Sequence, residues 1–171
     1  MHPSLPAVIA LAVANLLSVS AKAQNPTDPP QGQHAILTVL GKGSQIYTCQ
    51  LTNNTPQWVF KEPEATLYNA DNVEVGTHGA GPRWTAKDGS SVKGELLTKA
   101  PSPEAGAIPW LLLKAAATEG DGILARVEYI RRSDTHGGTA STAGCDPQHL
   151  NAVSRIPYTA TYTFYSVSPD K

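Results

Sequence analysis

The sequence predicts an all-β fold, an antiparallel β-sandwich or flattened β-barrel of about ten short strands. Three observations carry that prediction. Short segments rich in β-branched and aromatic residues recur along the chain and are cut by turn residues. Gly and Pro number 14 each in 171 residues, a density that favours turns over long helices. Two segments alternate with period two, the signature of strands with one packed and one wet face. In residues 123–132, Ile123, Ala125, Val127 and Tyr129 share one face and Arg126, Glu128 and Arg132 the other, with Ile130 the exception. In residues 158–167, Tyr158, Ala160, Tyr162 and Phe164 oppose Thr159, Thr161 and Thr163.

The elements follow in order. Met1 to Ala23 reads as a secretory signal peptide: an apolar, uncharged run over residues 5–19, too short to span a bilayer comfortably, precedes Ala21-Lys22-Ala23, a small-x-small cleavage pattern. The alternative is an anchor that stays attached. Residues 24–34, with Pro26, Pro29 and Pro30, read as a flexible lead-in to one domain over residues 35–167, and 168–171 as a tail. Strands are expected at 35–40, 44–51, 57–60, 66–69, 73–76, 83–86 and 92–97. After a break at 100–106 they resume at 110–116, 123–132 and 158–167. Asp88-Gly89 is a hairpin signal, because Gly tolerates positive φ, and Gly120-Asp121-Gly122 is another turn. Residues 109–119 carry helix formers after Pro109, but their apolar residues run together, and a buried strand is the preferred reading.

Charge and cysteines narrow the function classes. Lys plus Arg is 13 and Asp plus Glu 14, for a net charge of −1. This gives no footprint for nucleic acid, and no membrane association is expected after signal cleavage. Cys49 and Cys145 are too far apart in sequence for a close-paired metal motif. In the oxidising periplasmic or extracellular space that a signal peptide implies, a disulfide between them is expected; two buried free thiols are the alternative. Asn53-Asn54-Thr55 is a glycosylation sequon, relevant only in a eukaryotic host.

Several segments in order carry a family resemblance. They are Gly43-Ser44-Gln45-Ile46-Tyr47-Thr48-Cys49, Pro63-Glu64-Ala65-Thr66-Leu67-Tyr68, Gly76-Thr77-His78-Gly79-Ala80-Gly81-Pro82-Arg83-Trp84 and Asp88-Gly89-Ser90. Then come Ile108-Pro109-Trp110-Leu111-Leu112-Leu113, Thr135-His136-Gly137-Gly138 with Cys145 beyond it, and Pro157-Tyr158-Thr159-Ala160. Over residues 35–167 the chain resembles the domain-of-unknown-function family 3455 of exported bacterial and fungal proteins. The resemblance implies export but no established activity, cofactor or catalytic residue. Some fungal members bear the label malate dehydrogenase. The chain has no G-x-G-x-x-G after a strand, and its pattern does not suit a dinucleotide fold.

The candidate site is the loop from Gly76 to Trp84. There His78 could bind a metal, act as a general base or donate to an anion, and flanking glycines would let a ligand approach. Arg83 and Trp84 join it as ligand-contact candidates. Trp58, Trp84 and Trp110, with Tyr47 and Tyr68, could form a stacking platform for sugars or other flat ligands. His78, His136, Asp146 and His149 are the candidate metal ligands, should their loops gather. Glu62, Glu64, Glu119 and Asp121 sit at turns, where carboxylates ordinarily face water rather than each other. No G-x-S-x-G and no P-loop is present. The expected role is ligand binding or association with the cell envelope, with a carbohydrate or other envelope component as partner. An enzyme using His78 and a structural domain without small ligand are the alternatives. An enzyme needs His78 in a pocket beside a second polar group of perturbed pKa. A His78 buried against a backbone carbonyl, with the other histidines scattered, argues against one.

Overall fold

Hairpin follows hairpin along the chain until the sheet meets itself. A computed structural model describes residues 25–167. Its strands are β1 (His34–Thr52), β2 (Thr55–Tyr68), β3 (Glu74–Gly79), β4 (Arg83–Ala86), β5 (Ser91–Ala100), β6 (Trp110–Glu119), β7 (Tyr129–Gly137) and β8 (Val153–Ser166). Each pairs antiparallel with the next, and β8 returns to β1, giving a closed barrel in sequence order. Closure leaves no full-length sheet edge to pair with another chain. The expected signal peptide and the whole of the expected tail, residues 168–171, lie outside the described residues.

The all-β expectation and its barrel branch agree with this fold, with eight strands in place of about ten. Gly41-Lys42-Gly43 was expected to separate two strands but lies inside β1. These glycines serve close approach rather than a turn. A Cβ on Gly41 would stand 2.6 Å from the Tyr162 ring, and one on Gly43 would collide with the Glu64 carbonyl and Ala65 of β2. Pro63 likewise lies inside β2. β2 meets β3 only from Ala65 onward, so Pro63 sits where β2 has β1 alone for a neighbour, paired with Gln45 close to a bulge at Ile46/Tyr47. That is where a residue without an N–H is tolerated in a sheet. Asn53 and Asn54, both at positive φ, make the tight β1–β2 turn.

A third correction concerns residues 123–132. Ile123–Arg126 is a 3₁₀ turn, and strand pairing starts only at Tyr129. The facing is inverted relative to the expected alternation: Ile130 and Arg132 point inward, whereas Tyr129 and Arg131 are half-exposed. The alternation in β8 does follow the expectation, with Tyr158, Ala160, Tyr162 and Phe164 all buried. Residues 110–119 form a strand, as preferred.

The two barrel ends differ. One is plugged: Leu124 of the 3₁₀ segment and Val127 just after it pack into the core with Val39, Leu67, Val92 and Phe164. Asp88 in the β4–β5 turn holds the plug, accepting from the Ile123 N–H at 2.8 Å. Ser90 Oγ, itself bonded to Asp88, accepts from the Leu124 N–H at 3.1 Å. The lead-in is tied on near this end. Arg131 pairs with Asp28 at 3.1 Å, the Gln33 amide donates to Glu128 at 2.7 Å, and Thr27 is buried. At the other end the β7–β8 loop is bound to β1 by the Cys49–Cys145 disulfide, Cα–Cα 5.4 Å. The Tyr47 hydroxyl donates to the Gly138 carbonyl at 2.7 Å, and Trp58 Nε1–H to the Ala143 carbonyl at 2.9 Å. No helix among the described residues is long and apolar enough to cross a membrane.

Candidate functional site

Strand lengths create an opening. β3 and β4 are short, ending at Gly79 and beginning again at Arg83, while β2 and β5 on either side run on past their tip. An eight-stranded barrel is just wide enough to be filled by side chains or to hold one small ligand. Beneath the short hairpin the interior opens into a cavity of about 790 Å³. That volume lies within the range of small-molecule sites.

Its wall is set by register. His78 faces Trp84 across the β3–β4 pair, and their rings stack at 4.2 Å with 7° between planes. Arg132 faces Tyr162 across the β7–β8 pair and Leu111 across β6–β7. Ile108, Leu111 and Leu113 supply an aliphatic side. Gly94 leaves room opposite: a Cβ there would touch Leu113 and the Trp84 ring at 3.0–3.2 Å. The Pro82 carbonyl accepts from the Gly94 N–H at 3.0 Å, fixing the hairpin tip beside the mouth. Half-exposed Phe60 and Leu96 give the mouth an apolar lip, and Lys61, Lys99 and Glu95 stand beside them.

The polar groups are few and buried. His78 is 4% exposed, and its Nδ1–H donates to the Arg83 carbonyl at 2.9 Å. A carbonyl can only accept, so the proton is on Nδ1 and Nε2 keeps its lone pair. Burial pushes the His78 pKa down to about 4 against the favourable Arg83 contact, and the Arg132 charge acts in the same direction as burial. The ring is therefore neutral at pH 7.

Arg132, 9% exposed, donates from Nε and Nη2 to the Pro109 carbonyl at 3.0 and 2.8 Å. That carbonyl is itself positioned by β7. The Ile108 N–H donates to the Gly137 carbonyl at 2.9 Å, and Thr135 Oγ1 to the Ile108 carbonyl at 2.6 Å. No carboxylate forms an ion pair with Arg132 among the described residues. The Tyr158 and Tyr162 hydroxyls lie 3.0 Å apart, and burial raises both phenol pKa values while Arg132 opposes the rise. Trp84 Nε1 is a buried donor with no partner among the described residues, and buried Gln45 Nε2 has only the Tyr158 hydroxyl beside it.

The structure brings some predicted residues together and separates others. His78 and Trp84 line the cavity, and the Gly76-to-Trp84 segment forms part of its rim through Gly81 and Pro82. The Arg83 side chain instead turns to Ser91 and Glu119, at 2.8 and 3.0 Å, and only its carbonyl serves His78. The four metal candidates do not gather. His136 contacts Glu104, His149 contacts Asp146 at 2.8 Å, and no group of three or more His, Cys, Asp or Glu is placed to hold an ion among the described residues. The aromatic platform is dispersed too. Trp84 is 1% exposed, Trp58 covers the disulfide-bearing loop, Trp110 stacks under Arg131, and Tyr68 lies under Lys42; only Tyr47 joins Trp84 at the cavity. Glu62, Glu64 and Glu119 pair with Lys61, Arg155 and Arg83 on the surface.

Sequence reasoning missed Gln45 and Arg132, and assigned Tyr162 only to packing. The signal for Arg132 was present as the exception at Ile130. An apolar residue out of phase in a strand places its i+2 neighbour on the inner face as well.

Fold and cavity together define a small up-and-down β-barrel with a solvent-accessible, partly polar interior. The chain belongs to the family described as "Protein of unknown function (DUF3455)", whose profile matches residues 29–166, as the resemblance implied. No curated protein and no solved structure matches it.

Proposed function

We propose that this protein is an exported binder that takes one small, largely apolar molecule into the open end of its barrel. One observation carries the reading: an apolar-walled cavity of about 790 Å³ that opens beside the 81–82 tip and encloses a few fixed polar groups. Ligand sites share that construction, with apolar walls giving affinity and sparse polar groups giving orientation. The Cys49–Cys145 disulfide is consistent with work in the periplasm or outside the cell. A carbohydrate ligand finds less support, because the tryptophan rings are buried or dispersed rather than presented as a platform.

An enzyme using His78 as base or metal ligand also finds less support. Its Nδ1 is engaged by a backbone carbonyl, its ring is stacked on Trp84, and the other histidines lie elsewhere. A base of pKa about 4 provides little driving force for proton abstraction at neutral pH.

The test uses the oxidised protein and the neutral fluorophore N-phenyl-1-naphthylamine. The expected result is saturable enhancement at one dye per chain, suppressed by the cavity-filling Leu111→Trp. Absence of saturable binding, or binding unaffected by Leu111→Trp in a folded variant, contradicts the reading.

A further inference from the structure

We propose that the cavity selects a small organic acid, its carboxylate held at Arg132 and its apolar body against the aliphatic wall. This rests on the binding role argued above and names its ligand class.

The first support is an unbalanced charge. Arg132 is a buried, permanently ionised group lining the cavity, and it forms no ion pair among the described residues. Buried cations are ordinarily matched by an anion, since removing one from water is costly. A guanidinium carries five N–H donors, and the Pro109 carbonyl engages Nε and Nη2 only. Tyr162 stands beside it as a further neutral partner. The Pro109 contact fixes the fork without neutralising it.

The second support is independent of charge. Trp84 Nε1 is a buried donor without a partner among the described residues, Gln45 Nε2 has the Tyr158 hydroxyl alone within reach, and both side chains line the same cavity. Leaving a buried donor unpaired costs its full desolvation, so a guest that brings acceptors is favoured. A carboxylate offers two acceptor oxygens and matches an arginine fork. Beside Arg132, on the neighbouring strand and its lead-in, Leu111, Leu113 and Ile108 suit hydrocarbon, and Phe60 and Leu96 give the mouth further apolar surface. His78 Nε2, a bare acceptor, adds a site for a hydroxyl on such a ligand rather than for its carboxylate.

The experiment compares 2-naphthoate with its neutral isostere 2-naphthamide by calorimetric titration at pH 7, with the fluorophore described above as control. Charge-assisted hydrogen bonds are roughly twice as strong as neutral ones, so the acid should bind about tenfold more tightly than the amide. In Arg132→Gln that preference should vanish while amide binding persists. If Arg132→Gln does not fold, the Arg132 Nε–H resonance of the wild-type protein should shift on adding naphthoate and not on adding naphthamide. Equal or tighter binding of the amide overturns the acid assignment and leaves the cavity reading intact, as does fluorophore binding without binding of either naphthyl compound. Failure of all three probes overturns both.

Discussion

His78 shows what burial does to one side chain. Its neutral state is set chiefly by loss of water, and the consequence is a pH dependence with a definite sign. Its folded pKa, about 4, lies below the ordinary value of 6.5, so between these limits the unfolded chain binds a proton that the folded chain refuses. Stability therefore falls on acidification from 7 towards 4, by about 3 kcal/mol from this group. Urea midpoints of wild type and His78→Gln at the two pH values check this: the variant should lose correspondingly less. A His78 ring that titrates near 6.5 by NMR contradicts it. The sequence marked His78 through its flanking glycines, yet offered no cue that its Nδ1 would be taken by Arg83. Arg83 and Arg132 exchanged expected roles for a related reason. Whether an arginine faces in or out depends on strand phase, which one irregular residue can reverse.

The elements were legible where local pattern and tertiary demand agreed. β8 alternates cleanly because one face packs the interior and the other meets water along its length. The 88–89 turn is announced by Asp-Gly. The long strands were not legible, because Gly41, Gly43 and Pro63 are ordinarily breakers, and only the neighbouring strands explain their presence. Gly41→Ala should therefore destabilise the barrel by about 1–3 kcal/mol through overpacking against Tyr162. An unchanged denaturation midpoint would show that the Tyr162 ring can move aside. The plug depends on Asp88, whose carboxylate is held below its ordinary pKa by the Ser90 hydroxyl, then the Ile123 and Ser90 N–H groups. A depressed folded pKa contributes stability above the unfolded value of 3.8, lost as pH falls through the folded one. Asp88→Ala should increase amide exchange at Ile123 and Leu124 well before global unfolding, and unchanged protection there would refute the capping role.

At the scale of the whole molecule, the design is a barrel plugged at one end and opened at the other by a short hairpin, with a disulfide pinning the loop at the open end. The Cys49–Cys145 link spans 96 residues, and loop closure of that length is worth about 4–5 kcal/mol in the chain-entropy account. Cys49→Ala with Cys145→Ala should lower the guanidinium midpoint accordingly, and a midpoint equal to wild type would show the loop is held by Tyr47 and Trp58 alone. The all-β class and the cysteine pairing could be argued from the chain itself, since they rest on composition and on the compartment that the sequence implies. The cavity could not, because it arises from a difference in length between β3–β4 and their neighbours. The most direct test of the central claim is methyl NMR of the protein titrated with N-phenyl-1-naphthylamine and 2-naphthoate. The account predicts saturable shifts at Leu96, Ile108, Leu111 and Leu113, with Leu67 and Leu124 at the plugged end still. Shifts spread over exposed Leu51 and Leu97, with the cavity methyls unmoved, would contradict it.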